Sequence, residues 1–162
     1  MSVAFRRESD EEHLEPKFEL PVPAGPNLVS ARGLLLIEER IAQLESDLSA
    51  AADEASKAAI KRDLRYWQTR QITAELAPIP IGDKVEFGTQ VRILLNGKPR
   101  TFKIVGDDEA DPAAGMISFK SPLSQAILGS EVDDVLPFGD NSEAIQITGI
   151  KFPAEPARID VT

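Results

Sequence analysis

Cysteine is absent from this chain of 162 residues, and histidine, tryptophan and tyrosine occur once each. Without cysteine there can be no disulfide, no thiolate metal ligand and no cysteine nucleophile. The single histidine, His13, has no partners around it for a serine–histidine–aspartate triad. No apolar run approaches the roughly 18 residues that a membrane span needs. These absences predict a cytoplasmic protein that does not contact a membrane.

Basic residues are also in short supply, because 27 acidic residues outweigh 18 basic ones and leave a net charge of −9. Phosphate contacts need a concentrated basic surface, so the chain is poorly suited to wrapping duplex DNA by itself. Any action on nucleic acid would pass through a protein partner or a local basic patch. The acidity fits equally well with charge that merely maintains solubility, and both interpretations stay open.

The N-terminal half of the sequence changes pattern near residue 28. Residues 1–27 combine prolines and an acidic cluster without periodicity, which predicts a disordered tail. After Ser30, a predicted N-cap, apolar residues recur at steps of three and four, and a second such stretch ends before Pro78. The first seam consists of Leu34, Ile37, Ile41, Leu44 and Leu48, and the second of Ile60, Leu64 and Trp67, continued more weakly by Gln71 and Ala74.

These two seams predict an antiparallel helical hairpin, a short coiled coil, over residues 28–78. The small and polar residues 49–56 would hold its turn. Each arm would have about 20 residues and a length close to 30 Å. Two such helices bury little by themselves, which favours a projecting arm. The alternative, a helical pair packed onto the rest of the protein, stays open.

From residue 81 the apolar residues alternate with a period of two. Strands at 91–95 and 101–105 flank Asn96-Gly97, which is typical of a two-residue hairpin turn. Further strands are predicted at 116–119, 132–136 and 144–152, with a short helix running from Ser121-Pro122 to Gly129 and a loose tail at 153–162. The fold class is therefore α+β: a helical hairpin followed by an antiparallel sheet of about five strands with one short helix.

One cluster of acidic residues invites a metal-site interpretation. It consists of Asp107, Asp108, Glu109 and Asp111. The cluster follows a predicted strand and precedes a proline and a glycine turn, a context typical of a solvated loop. We therefore predict no metal site there.

Several motifs of the C-terminal half occur in the order and spacing of a known family. They are FGTQV at 87–91, FKIVGDDEAD at 102–111, SPLSQAILG at 121–129 and VDDV at 132–135. Through these motifs, residues 81–152 resemble the C-terminal domain of the Gre transcript-cleavage factors. The resemblance implies an FKBP-like fold without prolyl isomerase activity, and a domain that docks on bacterial RNA polymerase. The predicted partner is therefore the polymerase, with indirect contact to the RNA and DNA of the elongation complex.

The predicted hairpin is similar to the family's N-terminal coiled coil, which enters the secondary channel of the polymerase. Residues 28–46 resemble its first helix and residues 59–76 its return helix. Each helix here is about 12 residues shorter, which removes about 18 Å of projection. The tip also lacks the family's Asp-x-x-Glu-Asn signature, since Ala50 and Ala51 stand where the last two residues are expected. A short-armed relative of this kind is the regulator of nucleoside diphosphate kinase.

The resemblance implies a role for acidic residues at the tip of the arm. Family members lend tip carboxylates to a Mg²⁺ ion in the polymerase active site, a two-metal arrangement. The candidates here are Asp47, Asp53 and Glu54, of which Asp53 and Glu54 lie nearest the predicted turn. The competing interpretation is that these acids keep the turn soluble and interact favourably with the positive, N-terminal end of the second helix's dipole.

Two further groups of residues are candidates for binding. The resemblance places polymerase contacts at the start of the short helix, although Ser121 is equally explained as an ordinary N-cap. The second helix carries a basic stripe that would face RNA or the channel wall, or instead pair with Glu38, Glu39, Glu45 and Asp47 across the hairpin. The polymerase-binding candidates are Lys120, Ser121, Pro122 and Leu123, and the basic stripe consists of Lys57, Lys61, Arg62 and Arg65.

Taken with the short arm, these features predict a monomeric regulator of transcription elongation that acts at the secondary channel. It would not be an enzyme, and it would have no cofactor of its own. The first alternative is a cleavage-stimulating factor that shares the Mg²⁺ of the polymerase. The second alternative is an interaction module that binds a different protein.

Overall fold

A computed structural model describes residues 19–153 of the chain, which form two compact units. The helical unit contains residues 19–27 and 34–74, and the sheet unit contains residues 28–33 and 75–153. The sequence had assigned residues 28–33 to the hairpin, whereas their contacts group them with the sheet. Most of each predicted tail, at 1–18 and 154–162, lies outside the described residues.

The helical unit is an antiparallel pair of helices of the predicted length. Helices α1 (Ala31–Ala50) and α2 (Glu54–Thr73) have 20 residues each and are joined by residues 51–53. The centre of the predicted seam is buried, at Ile37, Ile41 and Leu44 of α1 and Leu64 of α2. The other predicted members are half-buried: Leu34, Leu48, Ile60 and Trp67. The chain reverses direction at the connection, because the segment before α1 is hydrogen-bonded to the last turn of α2.

The last turn of α2 departs from the predicted seam. Gln71 is exposed, Ala74 lies beyond the helix, and Arg70 is the buried residue, 1% exposed. Arg70 Nη2 donates to Asn27 Oδ1 at 2.7 Å, and Asn27 Nδ2 donates back to the Arg70 carbonyl at 2.8 Å. A buried guanidinium is tolerated only where acceptors surround it. A search for apolar residues at helical spacing does not detect a buried arginine. The pattern therefore assigned Gln71 to the seam.

Two short strands accompany the helices. Strand β1 (Asn27–Val29) pairs with β2 (Ala74–Leu76), and Ala77 N donates to the Val29 carbonyl at 2.9 Å. Neither strand was predicted, because three residues are too few for an alternating pattern to be recognised.

The sheet unit has five strands in the order β5-β4-β3-β7-β6 and one short helix, α3. Their bounds are β3 Gln90–Leu95, β4 Lys98–Val105, β5 Met116–Ser118, α3 Pro122–Ile127, β6 Val135–Phe138 and β7 Asn141–Lys151. All neighbours are antiparallel except β4 and β5, which are parallel. The chain between them, residues 106–115, turns back so that β5 begins beside Lys103, in the second half of β4. The predicted α+β class is confirmed, with this parallel edge as a correction.

Local turn signals were accurate in this unit. Asn96 and Gly97 have φ values of 50° and 81°, and the register joins Leu95 to Lys98, so the predicted two-residue turn is confirmed. Strand β6 begins three residues later than predicted, because residues 132–134 form a turn in which Asp133 has a φ of 75°. The core is aliphatic around two phenylalanines. It consists of Val85, Val91, Ile93, Phe102, Ile104, Phe119, Ile127, Ala144, Ile145 and Ile147.

Candidate functional site

Residues 118–123, from the end of β5 into the start of α3, are connected by hydrogen bonds. We call them the docking segment, after the role that the family resemblance predicts for them. Ser121 accepts from Ser124 N at 3.2 Å, which confirms it as the N-cap. The buried Ser124 Oγ donates to the Ser118 carbonyl at 2.7 Å. Pro122 is exposed at the first helical position, and Leu123 packs against the core. An exposed proline is thus presented on a rigid support.

Lys120 of the docking segment is paired with an acidic residue. Its Nζ lies 2.8 Å from Asp107 Oδ2 and 5.4 Å from the centroid of the Phe119 ring. Ser118 bridges the two, because its Oγ donates to Asp107 Oδ1 at 2.5 Å and accepts from Lys120 N at 3.1 Å. The charge of Lys120 is therefore balanced within the protein. Asp107 belongs to this site, although the sequence had placed it in a solvated loop.

Glu109, from the same acidic cluster, is buried. Its side chain is 2% exposed, and Arg32 Nη1 lies 2.8 Å from Glu109 Oε2. Ser30 Oγ donates to Glu109 Oε1 at 2.5 Å and also accepts from Gly33 N, the N-cap bond predicted for Ser30. The prediction of a solvated loop was therefore wrong for Asp107 and Glu109. Its cause was the long sequence separation between Glu109 and Ser30 or Arg32, which local patterns cannot reveal.

The three tip acids each take a local role in their helix. Asp53 is the N-cap of α2 and accepts from Ser56 N at 3.0 Å; hydrogen bonding from Ser56 holds the pKa of Asp53 below the ordinary 3.8. Glu54 lies 3.8 Å from Lys57 Nζ, and Asp47 accepts from Gln43 Nε2 at 2.9 Å. Among residues 19–153, no group of three or more candidate ligands comes together to hold a metal ion.

The basic stripe of α2 pairs with acids other than those predicted. Its ion pairs are Lys57 with Glu54 at 3.8 Å, Arg62 with Asp63 at 3.5 Å and Arg65 with Glu19 at 2.8 Å. Lys61 is exposed. Over the described part of the chain, none of the four cations pairs with Glu38, Glu39, Glu45 or Asp47. The alternative of cross-hairpin pairing with these four acids is therefore not realised, and three of the four cations pair with other acids.

Comparison with known proteins identifies the family. A family model described as "Transcription elongation factor, GreA/GreB, C-term" matches residues 80–151. Transcription elongation factor GreA of Desulfovibrio desulfuricans is 32% identical over 130 residues, which cover 65% of this chain and 80% of that protein. The chain belongs to the GreA/GreB family. The resemblance at 81–152 is thereby confirmed, and the docking segment lies inside the matched domain.

Further comparisons cover other shares of this chain and of its relatives. Transcription elongation factor GreA of Rhizobium etli is 36% identical over 101 residues, 57% of this chain and 64% of that protein, so the chain spans just under two thirds of this relative. Among solved structures, GreA factor homolog 1 of Thermus thermophilus is 18% identical with a TM-score of 0.37, over 78% of this chain and 99% of that one. In the described residues of this GreA/GreB family member, no helix combines the length and apolar composition of a membrane crossing.

Proposed function

We propose that this GreA/GreB family member binds bacterial RNA polymerase through the docking segment and regulates transcription elongation at the secondary channel. The observation that carries the proposal is the exposed Pro122 on its hydrogen-bonded support, within the domain that defines the family. A segment that is already ordered loses little conformational freedom on binding, which favours affinity. Lys120 would also contact the polymerase, with its charge already balanced by the ion pair with Asp107.

The first experiment measures polymerase binding by the variant Pro122→Asp. Aspartate is tolerated at the first turn of a helix, so the fold should persist, while a charge in the contact surface should weaken binding at least tenfold. Pro112→Asp is the matched control, because Pro112 is also exposed at the first position of a helical turn in the sheet unit. Equal affinities of Pro122→Asp and the unsubstituted chain would refute the assignment of the docking segment.

We further infer that the protein is not an enzyme and does not stimulate RNA cleavage. The roles of Asp47, Asp53 and Glu54 within their own helices support this, as does the length of the two 20-residue helices. Any Mg²⁺ involved would be that of the polymerase, and no cofactor of the chain's own is needed. The protein would act in the cytoplasm as a monomer, and its contact with RNA and DNA would be indirect.

The alternative is a cleavage-stimulating factor, and the exposed, ionised Asp53 is the observation in its favour. Cleavage of backtracked transcripts by polymerase, with and without the protein, distinguishes the two functions. We expect no stimulation above polymerase alone. Should stimulation occur, Asp53→Ser and Glu54→Gln are the informative variants, because serine keeps the cap while removing the carboxylate. Stimulation that both variants abolish would establish the cleavage function instead.

A further inference from the structure

Three basic side chains lie together on the face of the sheet that points away from the apolar core. The core residues of β3 alternate with Gln90 and Arg92, which therefore lie on the opposite face. Gln90 is directly opposite Lys103 of β4 and Lys151 of β7. Opposed residues of antiparallel strands share a face of the sheet. We call Arg92, Lys103 and Lys151 the outer patch.

The outer patch is open to solvent and about 10 Å wide. Lys103 and Lys151 lie on the two strands that flank β3, and adjacent strands are about 4.8 Å apart. Arg92 and Lys151 line a groove of about 370 Å³ together with Gln90 and Thr101. These four residues are exposed, and Lys103 is half-buried. The groove thus places an amide and a hydroxyl group beside the cations.

A glycine makes room for the guanidinium of Arg92. Gly149 of β7 is opposite Arg92 in the sheet. A Cβ at position 149 would lie 2.8 Å from Nη2 and 3.0 Å from Nε of Arg92. The guanidinium therefore occupies the space that a side chain at 149 would fill. It lies over β7, the strand that also carries Lys151.

The charges of the outer patch are not balanced within the described part of the chain. Across residues 19–153, none of its three cations forms an ion pair. Three of the four cations in the basic stripe of α2 are paired, by contrast. The residues opposite the patch in the sheet are neutral: Gln90, Thr101, Met116 and Gly149. The patch is a local surplus of positive charge in a chain of net charge −9.

We propose that the outer patch binds the phosphate backbone of duplex DNA, independently of base sequence. Each strand of duplex DNA presents a phosphate about every 3.4 Å along the axis, so a patch about 10 Å wide faces about three of them. Lysine, arginine, glutamine and threonine side chains are typical phosphate contacts. The contact goes beyond the proposed function, in which DNA is reached through the polymerase, and does not depend on it.

Two other polyanions fit the outer patch less well. Single strands gain much of their affinity by stacking bases on aromatic side chains, and none of the patch residues or their sheet neighbours named above is aromatic. An acidic protein segment would require an interface centred on lysines, which are depleted at the centres of protein–protein interfaces. Duplex DNA needs neither stacking nor an apolar anchor.

Anisotropy of a short fluorescent DNA duplex, titrated with the full chain at low salt, measures the contact. Three phosphate contacts predict a slope of about −3 for log affinity against log salt concentration. The triple variant Arg92→Gln, Lys103→Gln and Lys151→Gln should bind the duplex at least tenfold more weakly and lose most of this slope. Failure of the unsubstituted chain to bind at low salt would refute the proposal.

A second triple variant controls for net charge. Lys84→Gln, Lys98→Gln and Arg100→Gln also lowers the net charge by three from −9. Lys84 lies in the loop before β3, and Lys98 and Arg100 oppose the core-facing side of β3, at Leu95 and Ile93. This control should keep its affinity for the duplex within about twofold. An equal loss in both variants would attribute binding to net charge and remove the case for the patch.

Nuclear magnetic resonance locates the contact on the folded chain. Unlabelled duplex should shift the amide signals of residues 90–92, 101–103 and 149–151 and the side-chain Nε signal of Arg92. Shifts confined to α2 would assign DNA binding to its basic stripe and contradict the proposal.

Competition distinguishes duplex DNA from the two other polyanions. A single-stranded oligonucleotide and an oligoglutamate, each matched to the duplex in total charge, are added to the labelled complex. Both should displace the labelled duplex less effectively than unlabelled duplex does. If either competes equally well, the outer patch is not a site for duplex DNA.

Discussion

Gly106 shows how strongly one residue constrains the chain around it. A Cβ at this position would overlap the carbonyl oxygen of Leu28, so only glycine lets the strand-end of β4 lie against the segment that precedes α1. The φ of Gly106 is not positive, and the requirement is therefore one of space and not of backbone conformation.

Gly106→Ala should lower the free energy of unfolding by about 1–3 kcal/mol, because backbone atoms must shift to admit a methyl group. Urea unfolding at neutral pH measures the change. Gly82→Ala is the matched control, since a Cβ there meets no heavy atom within 4 Å, and we expect a change within about 0.5 kcal/mol. Equal stabilities of the two variants would show that Leu28 moves away without cost.

The stability that Asp53 gives to the first turn of α2 depends on pH. Its pKa is lowered in the folded protein by hydrogen bonds from Ser56. The carboxylate cap therefore contributes its full stability above pH 3.8, and this stability is lost as the pH falls through the lowered folded pKa. Asp53→Ala should reduce the urea midpoint at pH 7, and the difference from the unsubstituted chain should shrink towards pH 3. A pH-independent difference would assign the loss to helix propensity and not to the charged cap.

At the scale of elements, the last turn of α2 is held by polar contacts where apolar ones were predicted. Both polar atoms of the Asn27 amide bond to Arg70: Oδ1 accepts from the guanidinium, and Nδ2 donates to the backbone carbonyl. Both side chains are almost fully buried, at 3% and 1% exposed. Removing the amide leaves a buried cation short of an acceptor, which costs more than removing an exposed contact.

Asn27→Leu should therefore lower the free energy of unfolding by about 1–3 kcal/mol. Hydrogen exchange should locate the loss in the last turns of α2, with faster exchange of residues 66–73. Gln68→Ala, on the exposed surface of the same helix, should leave both measurements nearly unchanged. If exchange in these turns is no faster in Asn27→Leu, the amide does not secure the end of the helix.

At the scale of the whole molecule, the chain contains two compact units whose residues are not contiguous in the sequence. Residues 28–33 belong with the sheet unit, through Ser30 and Arg32 on Glu109 and through Leu28 on the apolar core. Residues 34–74 of the helical unit lie in the sequence as an insertion between residues 33 and 75 of the sheet unit. Strands β1 and β2, which flank α1 and α2 in the chain, are paired.

A chain in which residues 34–74 are replaced by a short Gly-Ser linker should keep a folded sheet unit, because every residue of the apolar core is retained. Cooperative thermal unfolding, followed by far-ultraviolet circular dichroism, is the measurement. A fragment that starts at residue 75 is the comparison and should be less stable, since it lacks Leu28, Ser30 and Arg32. Equal stability of the two would mean that residues 28–33 contribute nothing to the sheet unit.

The features that sequence predicted well depend on residues close together in the chain. The helix lengths follow from apolar spacing, the β3–β4 turn from Asn96-Gly97, and the start of α3 from Ser121-Pro122. Each signal lies within a few residues, where backbone geometry relates neighbours directly. The family motifs are likewise short runs of neighbouring residues, so the resemblance of residues 81–152 could be recognised without any tertiary contact.

Only the tertiary structure decided which charged residues are buried and with what. Lys120 pairs with Asp107, Arg32 with Glu109 at a separation of 77 residues, and Arg70 with Asn27 at a separation of 43. From sequence alone, a charged side chain is predicted to be exposed to solvent, because burying a charge without a partner is costly. The partner that permits burial lies far away in the chain, so no local pattern reveals it. The amino-acid sequence alone therefore determined the two long helices, the β3–β4 hairpin, the start of α3 and the family. Folding determined the partners, because only folding brings a distant acceptor to a buried charge.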